Sequence, residues 1–145
     1  MEGLDMASAD ELRAAIAAQR AVLRESIQAA AGKWTESPGG EEWSAKQIAE
    51  HAIRSDLYYA NIVSKAMLGK PGEFERSEIP NAEEALERSE AVAAVADKML
   101  RYVEDRDLVK PAENVPGADK QTIEAAMVRA SEHLAEHAEE LKKRA

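Results

Sequence analysis

A four-helix bundle is the fold this sequence predicts, and three observations predict it. Four long segments are rich in Ala, Leu, Glu, Lys and Arg, all strong helix formers. Gly and Pro fall almost entirely between those segments, where the chain must turn. Within each segment the apolar residues recur at three-to-four spacing, which gathers them on one helix face, and no stretch alternates as a strand does. The class is all-α with long inter-helix connections, and residues 1–145 read as one domain of ordinary size.

The first helix is expected over residues 9–31. Ser8 with Glu11 makes a capping box. Leu12, Ile16, Leu23, Ile27 and Ala30 form its apolar stripe, and Gly32 is a natural stop. A loop over 33–43 follows, containing Ser37-Pro38-Gly39-Gly40. The second helix has the best-specified start: Ser44 and Gln47 form a capping box, and Trp43 and Ile48 fit a hydrophobic staple. It runs to about Leu68 and stops at Gly69-Lys70-Pro71-Gly72, with Ile48, His51, Ser55, Tyr58 or Tyr59, Ile62 and Ala66 facing inward. Residues 73–80 read as a loop. Asn81 caps the third helix, with Glu84 at the third helical position and a stripe of Leu86, Val92, Ala96, Met99, Leu100 and Val103. Residues 106–119, with Pro111, Pro116 and Gly117, form the last long connection. The fourth helix is expected over 120–142, where Ile123, Met127, Ala130, Leu134, His137 and Leu141 keep the three-to-four spacing. Connections of this length either turn around or run the length of a helix, so spacing does not choose the topology.

Composition excludes several function classes. The formal charge is −9 with the signs interspersed, and no basic stripe of the kind nucleic-acid binding uses is present. With no Cys, thiolate ligands, disulfides and cysteine nucleophiles are ruled out. Met1-Glu2-Gly3-Leu4-Asp5 lacks the cationic and apolar regions of a signal peptide, and no apolar run approaches the ~20 residues of a membrane span. A cytoplasmic protein without membrane or nucleic-acid partners is the expectation.

The chain has three histidines, and all fall on inward helix faces. His133 and His137 are one turn apart on the fourth helix and can share a metal ion; His51 lies on the stripe of the second. A lone histidine on an apolar stripe is more often a core residue with a hydrogen-bond partner than a ligand. Three on inward faces make metal binding an equal alternative, and both readings stand at this point. His133-Leu134-Ala135-Glu136-His137 matches H-x-x-E-H, but the protease signature needs a further acidic ligand well downstream, and the chain ends at Ala145. A di-iron bundle needs two Glu-x-x-His motifs; Ile48, Ala130 and Leu134 precede the histidines instead. What remains on the metal side is one ion on three imidazoles with open positions.

Two stretches resemble the DinB-like superfamily of four-helix-bundle metalloproteins. Trp43-Ser44-Ala45-Lys46-Gln47-Ile48-Ala49-Glu50-His51 is similar to its W-S-x-x-x-[apolar]-x-x-H. His133-Leu134-Ala135-Glu136-His137-Ala138-Glu139-Glu140-Leu141 is similar to its H-x-x-x-H-x-x-Q-[apolar], departing at Glu140, where Gln is common. The resemblance covers nearly the whole chain. It implies that His51, His133 and His137 bind one divalent metal ion, zinc or nickel. It also implies a small-molecule substrate, a low-molecular-weight thiol such as mycothiol, bacillithiol or glutathione in some members, and a homodimer in many.

The function this favours is a metal-dependent enzyme of the thiol-dependent S-transferase or hydrolase type. Glu140, one turn past His137, is the candidate proton acceptor, against the plainer reading of a solvated carboxylate near a helix end. Tyr58, two turns from His51, and the two tryptophans, Trp34 and Trp43, are candidates to line the pocket and its mouth; for Tyr58 a core or rim position is the plainer reading. The alternative is a non-catalytic, metal-stabilised binding or stress-response module, with the site closed by a fourth ligand such as Glu140. A metal-free helical scaffold is the third possibility.

Overall fold

Each helix begins where a side chain can satisfy its first free amides. The computed structural model describes residues 7–73 and 77–145; the expectation for residues 1–5 and the middle of the loop expected over 73–80 lie outside these. Four helices are present: α1 Ala9–Ala29, α2 Ala45–Ala66, α3 Ala82–Leu100 and α4 Ile123–Lys142. The amide of Ser8 donates to Glu11 Oε1 (2.8 Å) and that of Glu11 to Ser8 Oγ (3.1 Å). Ser44 and Gln47 repeat the exchange at α2, and Asn81 Oδ1 caps α3 through the Glu84 amide. The fourth cap is Thr122, which accepts from the Ala125 amide (3.2 Å) and sets the start of α4 later than the composition alone suggests.

The helix ends depart from the glycine rule. α1 stops at Ala29, and the chain continues in a 3-10 turn, Ala31–Lys33, that contains Gly32 in an ordinary conformation. After α2 the left-handed position is taken by Leu68 (φ 62°) rather than by Gly69. The Leu68 amide donates to Lys65 O and the Gly69 amide to Ser64 O (2.7 Å), the two bonds of a Schellman end. Leu68 is 94% exposed, so its side chain contributes no burial to offset the strain. Leu68→Gly is therefore expected to stabilise the fold by about 0.5–1 kcal/mol, read as a raised urea midpoint at unchanged slope.

Side-chain ties at the helix ends fix the topology. Arg13 of α1 donates to Leu100 O and Val103 O at the end of α3, so these two helices are antiparallel. Lys46 and Glu50 of α2 bond to Glu78 and Ile79 just before α3, while Gly72 is held by Asn61 further along α2. The second connection therefore runs back along α2, and α2 and α3 are parallel. Arg144, just past α4, donates to Trp43 O at the start of α2, which makes α4 antiparallel to α2. α1 packs against α4 and α3, α2 against α4 and α3, leaving α1 diagonal to α2 and α3 diagonal to α4. Sequence neighbours on a diagonal need long crossings, which accounts for the length of the first and third connections.

The core lies on the expected stripes of α1, α2 and α4, with Ile16, Leu23, Ile27, Ile48, Ile123, Met127, Leu134 and Leu141 fully buried. On α2 the inward tyrosine is Tyr59 (4% exposed); Tyr58 is 46% exposed. α3 differs from expectation. Its buried positions are Ala82, Ala85, Ser89, Ala93, Ala96 and Leu100, while Leu86, Val92 and Met99 are only half-buried at its flanks. Small side chains occupy the line of contact, and the larger apolar residues fill in beside it.

Trp34 does not shape a substrate mouth. It is 5% exposed, its Nε1 donates to Ile79 O (2.9 Å), and its own carbonyl accepts from the Lys46 amide. The ring thus pins the first connection to the starts of α2 and α3. A buried indole needs such a partner for its N–H.

Candidate metal centre

His51 comes from the first turns of α2, and His133 and His137 from the middle and later part of α4. Because these helices are antiparallel neighbours, the early part of one faces the late part of the other. The three rings meet with centroids 5.2 Å (His51–His133), 4.8 Å (His51–His137) and 4.2 Å (His133–His137) apart. One ring nitrogen from each lies within 4.8 Å of the other two, an arrangement that could hold a metal ion. Trp43, outside the cap of α2, sets its ring edge-on against His51 at 5.3 Å and is 42% exposed, so it flanks the cluster.

The donor chemistry fits a divalent ion. His137 Nε2 lies 3.1 Å from His133 Nε2. Two nitrogens on one ion at about 2.0–2.1 Å in a tetrahedral set are roughly 3.3–3.4 Å apart, so little movement is needed. Glu140 Oε1 lies 2.5 Å from His137 Nδ1. An ionised carboxylate only accepts, so Nδ1 carries the proton and Nε2 presents its lone pair to the cluster. Glu140 therefore sits behind His137, on the far side of the ring from the Nε2 pair, where it holds the imidazole in orientation.

Electrostatics favour the neutral form of His51 and His133. Desolvation first, then the charges of His137, His51 and Arg129, push His133 down to about 4. His51 is also lowered, by desolvation, His137 and Arg54, with Glu140 acting the other way. Neutral imidazole is the ligating form. The folded-state values lie below 6.5, so the unfolded chain takes up these protons first. Stability present above pH 6.5 is then lost as pH falls toward 4. In chelator-treated protein the thermal midpoint is expected to drop across that window, and less steeply in a His133→Gln variant.

A cleft of about 360 Å³ opens beside the cluster, lined by His51, Arg54, Ser55, Tyr58, Tyr59, Pro116 and His133. Of these, the sequence reading singled out the histidines, Ser55 and the tyrosines. Arg54 was missed, although it stands one turn from His51. Pro116 comes from the last connection, where no motif announces it; Arg129 donates to its carbonyl (3.3 Å) and Gln121 brackets the backbone of Val115. Tyr59 packs on His133 at 5.5 Å, and burial raises its pKa against the opposing effect of Arg129.

No helix among the described residues is long and apolar enough to cross a membrane. No curated protein and no solved structure matches the chain. The family model of the DinB superfamily matches residues 15–141, a span that includes all three histidines and Glu140. With most of its length covered by that model, the chain belongs to the DinB superfamily.

Proposed function

We propose that the protein is a metal-dependent enzyme of the thiol-dependent S-transferase or hydrolase type, acting on a small molecule. The observation that carries this reading is the convergence of three imidazole nitrogens within 4.8 Å at the head of an open cleft. His51, His133 and His137 would hold a zinc or nickel ion and leave positions free toward the cleft. Such an ion supplies a Lewis acid that makes water or a thiol a stronger nucleophile near neutral pH.

The chain's own residues do the rest. Glu140 fixes the tautomer and aim of His137. Burial keeps His51 and His133 free of protons at neutral pH. Arg54 and Tyr58 stand on the cleft wall where a substrate would lie, and Tyr59 with Trp43 restricts water around the rings. Elemental analysis of protein grown with zinc or nickel is expected to find about one ion per chain, and a screen of that protein with low-molecular-weight thiols and electrophiles to find turnover. Metal-free protein after loading would sink the reading; one tightly held ion with no exchangeable position would favour a binding module instead.

A further inference from the structure

Tyr58 borders a second hollow as well as the histidine cleft. This second cleft, of about 500 Å³, is lined by Tyr58, Ile62, Lys65, Pro71, Glu113 and Asn114 among others. Both hollows lie along the same face of α2, since positions 51, 54, 58, 62 and 65 follow each other at three-to-four spacing. Both are bounded on the other side by the last connection, through Pro116 in the first and Glu113 and Asn114 in the second. From His51 to Ile62 the helix rises about 16 Å.

We propose that the two hollows form one substrate groove, in which the second takes the apolar body of an extended small molecule whose reactive end reaches the histidines. This rests on the metal-site reading above. Three polar side chains of the second cleft, Asn61, Lys65 and Glu113, are already engaged. Asn61 uses both ends of its amide on the backbone of Gly72, at 3.0 and 2.7 Å. Lys65 and Glu113 face each other at 3.5 Å, both 70% exposed at the rim. Tyr58, Ile62 and Pro71 are left to receive the ligand, and they suit an uncharged, apolar group. The opposing wall is preformed by the bonds of Gln121 and Arg129 to residues 115, 116 and 118, so little ordering is needed on binding. Tyr58 is the specificity-determining residue, as its ring borders both halves.

Calorimetric titration of zinc-loaded full-length protein with acetohydroxamate and octanohydroxamate tests this. Both carry the same metal-binding head; only the second has a tail that passes Tyr58. Octanohydroxamate is expected to bind at least about tenfold more tightly, from burial of its chain, and the ratio is expected to shrink severalfold in Tyr58→Ala. Equal affinities, or an undiminished ratio in the variant, overturn the groove while leaving the metal site standing. If neither compound binds, the open metal position fails and the groove fails with it.

Discussion

Asp56→Ala is expected to destabilise the protein by about 3–5 kcal/mol, a large part of the ~5–15 kcal/mol typical of a domain. Arg20 of α1 is 3% exposed and Asp56 of α2 is 6% exposed. The guanidinium donates from Nε and Nη2 to the two oxygens of Asp56, each at 2.8 Å, and from Nη1 to Asp97 of α3 at 2.6 Å. Burial alone lowers the pKa of Arg20; the hydrogen bonds and charges of Asp56 and Asp97 outweigh it and raise the value. Because α1 and α2 lie on a diagonal, this fork joins helices that otherwise barely touch. Removing Asp56 leaves the buried cation with only the largely exposed Asp97, and that desolvation sets the size of the effect. Asp97 is 61% exposed on its side chain, so water replaces it and Asp97→Ala is expected to cost about 1 kcal/mol or less. A double variant, Arg20→Met with Asp56→Leu, should recover most of the loss, since no buried charge is left unpaired and Asp97 is solvated. Urea unfolding followed by circular dichroism measures all three; a cost below about 1 kcal/mol for Asp56→Ala would mean that water reaches the pair.

The second large effect is on metal content. His51→Ala removes the one ligand that α2 would contribute and is expected to leave the purified protein with little metal, while far-UV circular dichroism stays that of a folded bundle. His51 is only half-buried at the cleft edge, so its loss opens no deep cavity. Glu140→Gln is a milder change. The amide can still accept from His137 Nδ1, but the full negative charge that makes the imidazole a better donor is gone, and affinity is expected to fall about 10–100-fold. Glu140→Ala should fall at least as far. Competition with a chromophoric chelator ranks the variants. Full retention of metal by His51→Ala would be fatal to the three-ligand set.

Much of the local structure was legible before any coordinates. Ser8, Ser44 and Asn81 announce their helices because a cap acts within three residues, and the structure has all three bonds. The stripes of α1 and α4 are buried position for position. The cap Thr122 is hidden in the sequence by the polar run before it. On α3 the expected stripe holds at Ala96 and Leu100, but Leu86, Val92 and Met99 lie beside the contact line, because periodicity counts large apolar residues and close helix packing here uses small ones. Arg20 left a trace that went unread: it continues the spacing of Ile16, Leu23 and Ile27, a cation on an otherwise apolar stripe. Its partner Asp56 is on the diagonally opposite helix and 36 residues along the chain, so nothing local names it.

The same division runs through the candidate site. Capping and periodicity are short-range, and they suffice to place three histidines on inward faces and to put His133 beside His137. Which helices become neighbours is decided by long-range packing. The second connection, which runs back along α2, and the diagonal crossings at the bundle ends set α2 antiparallel against α4. That register brings His51 to the pair and folds residues 113–116 over the face of α2 to make a cleft. None of these contacts joins residues close enough in the chain for spacing to specify them, because they depend on how four separate apolar faces are buried at once.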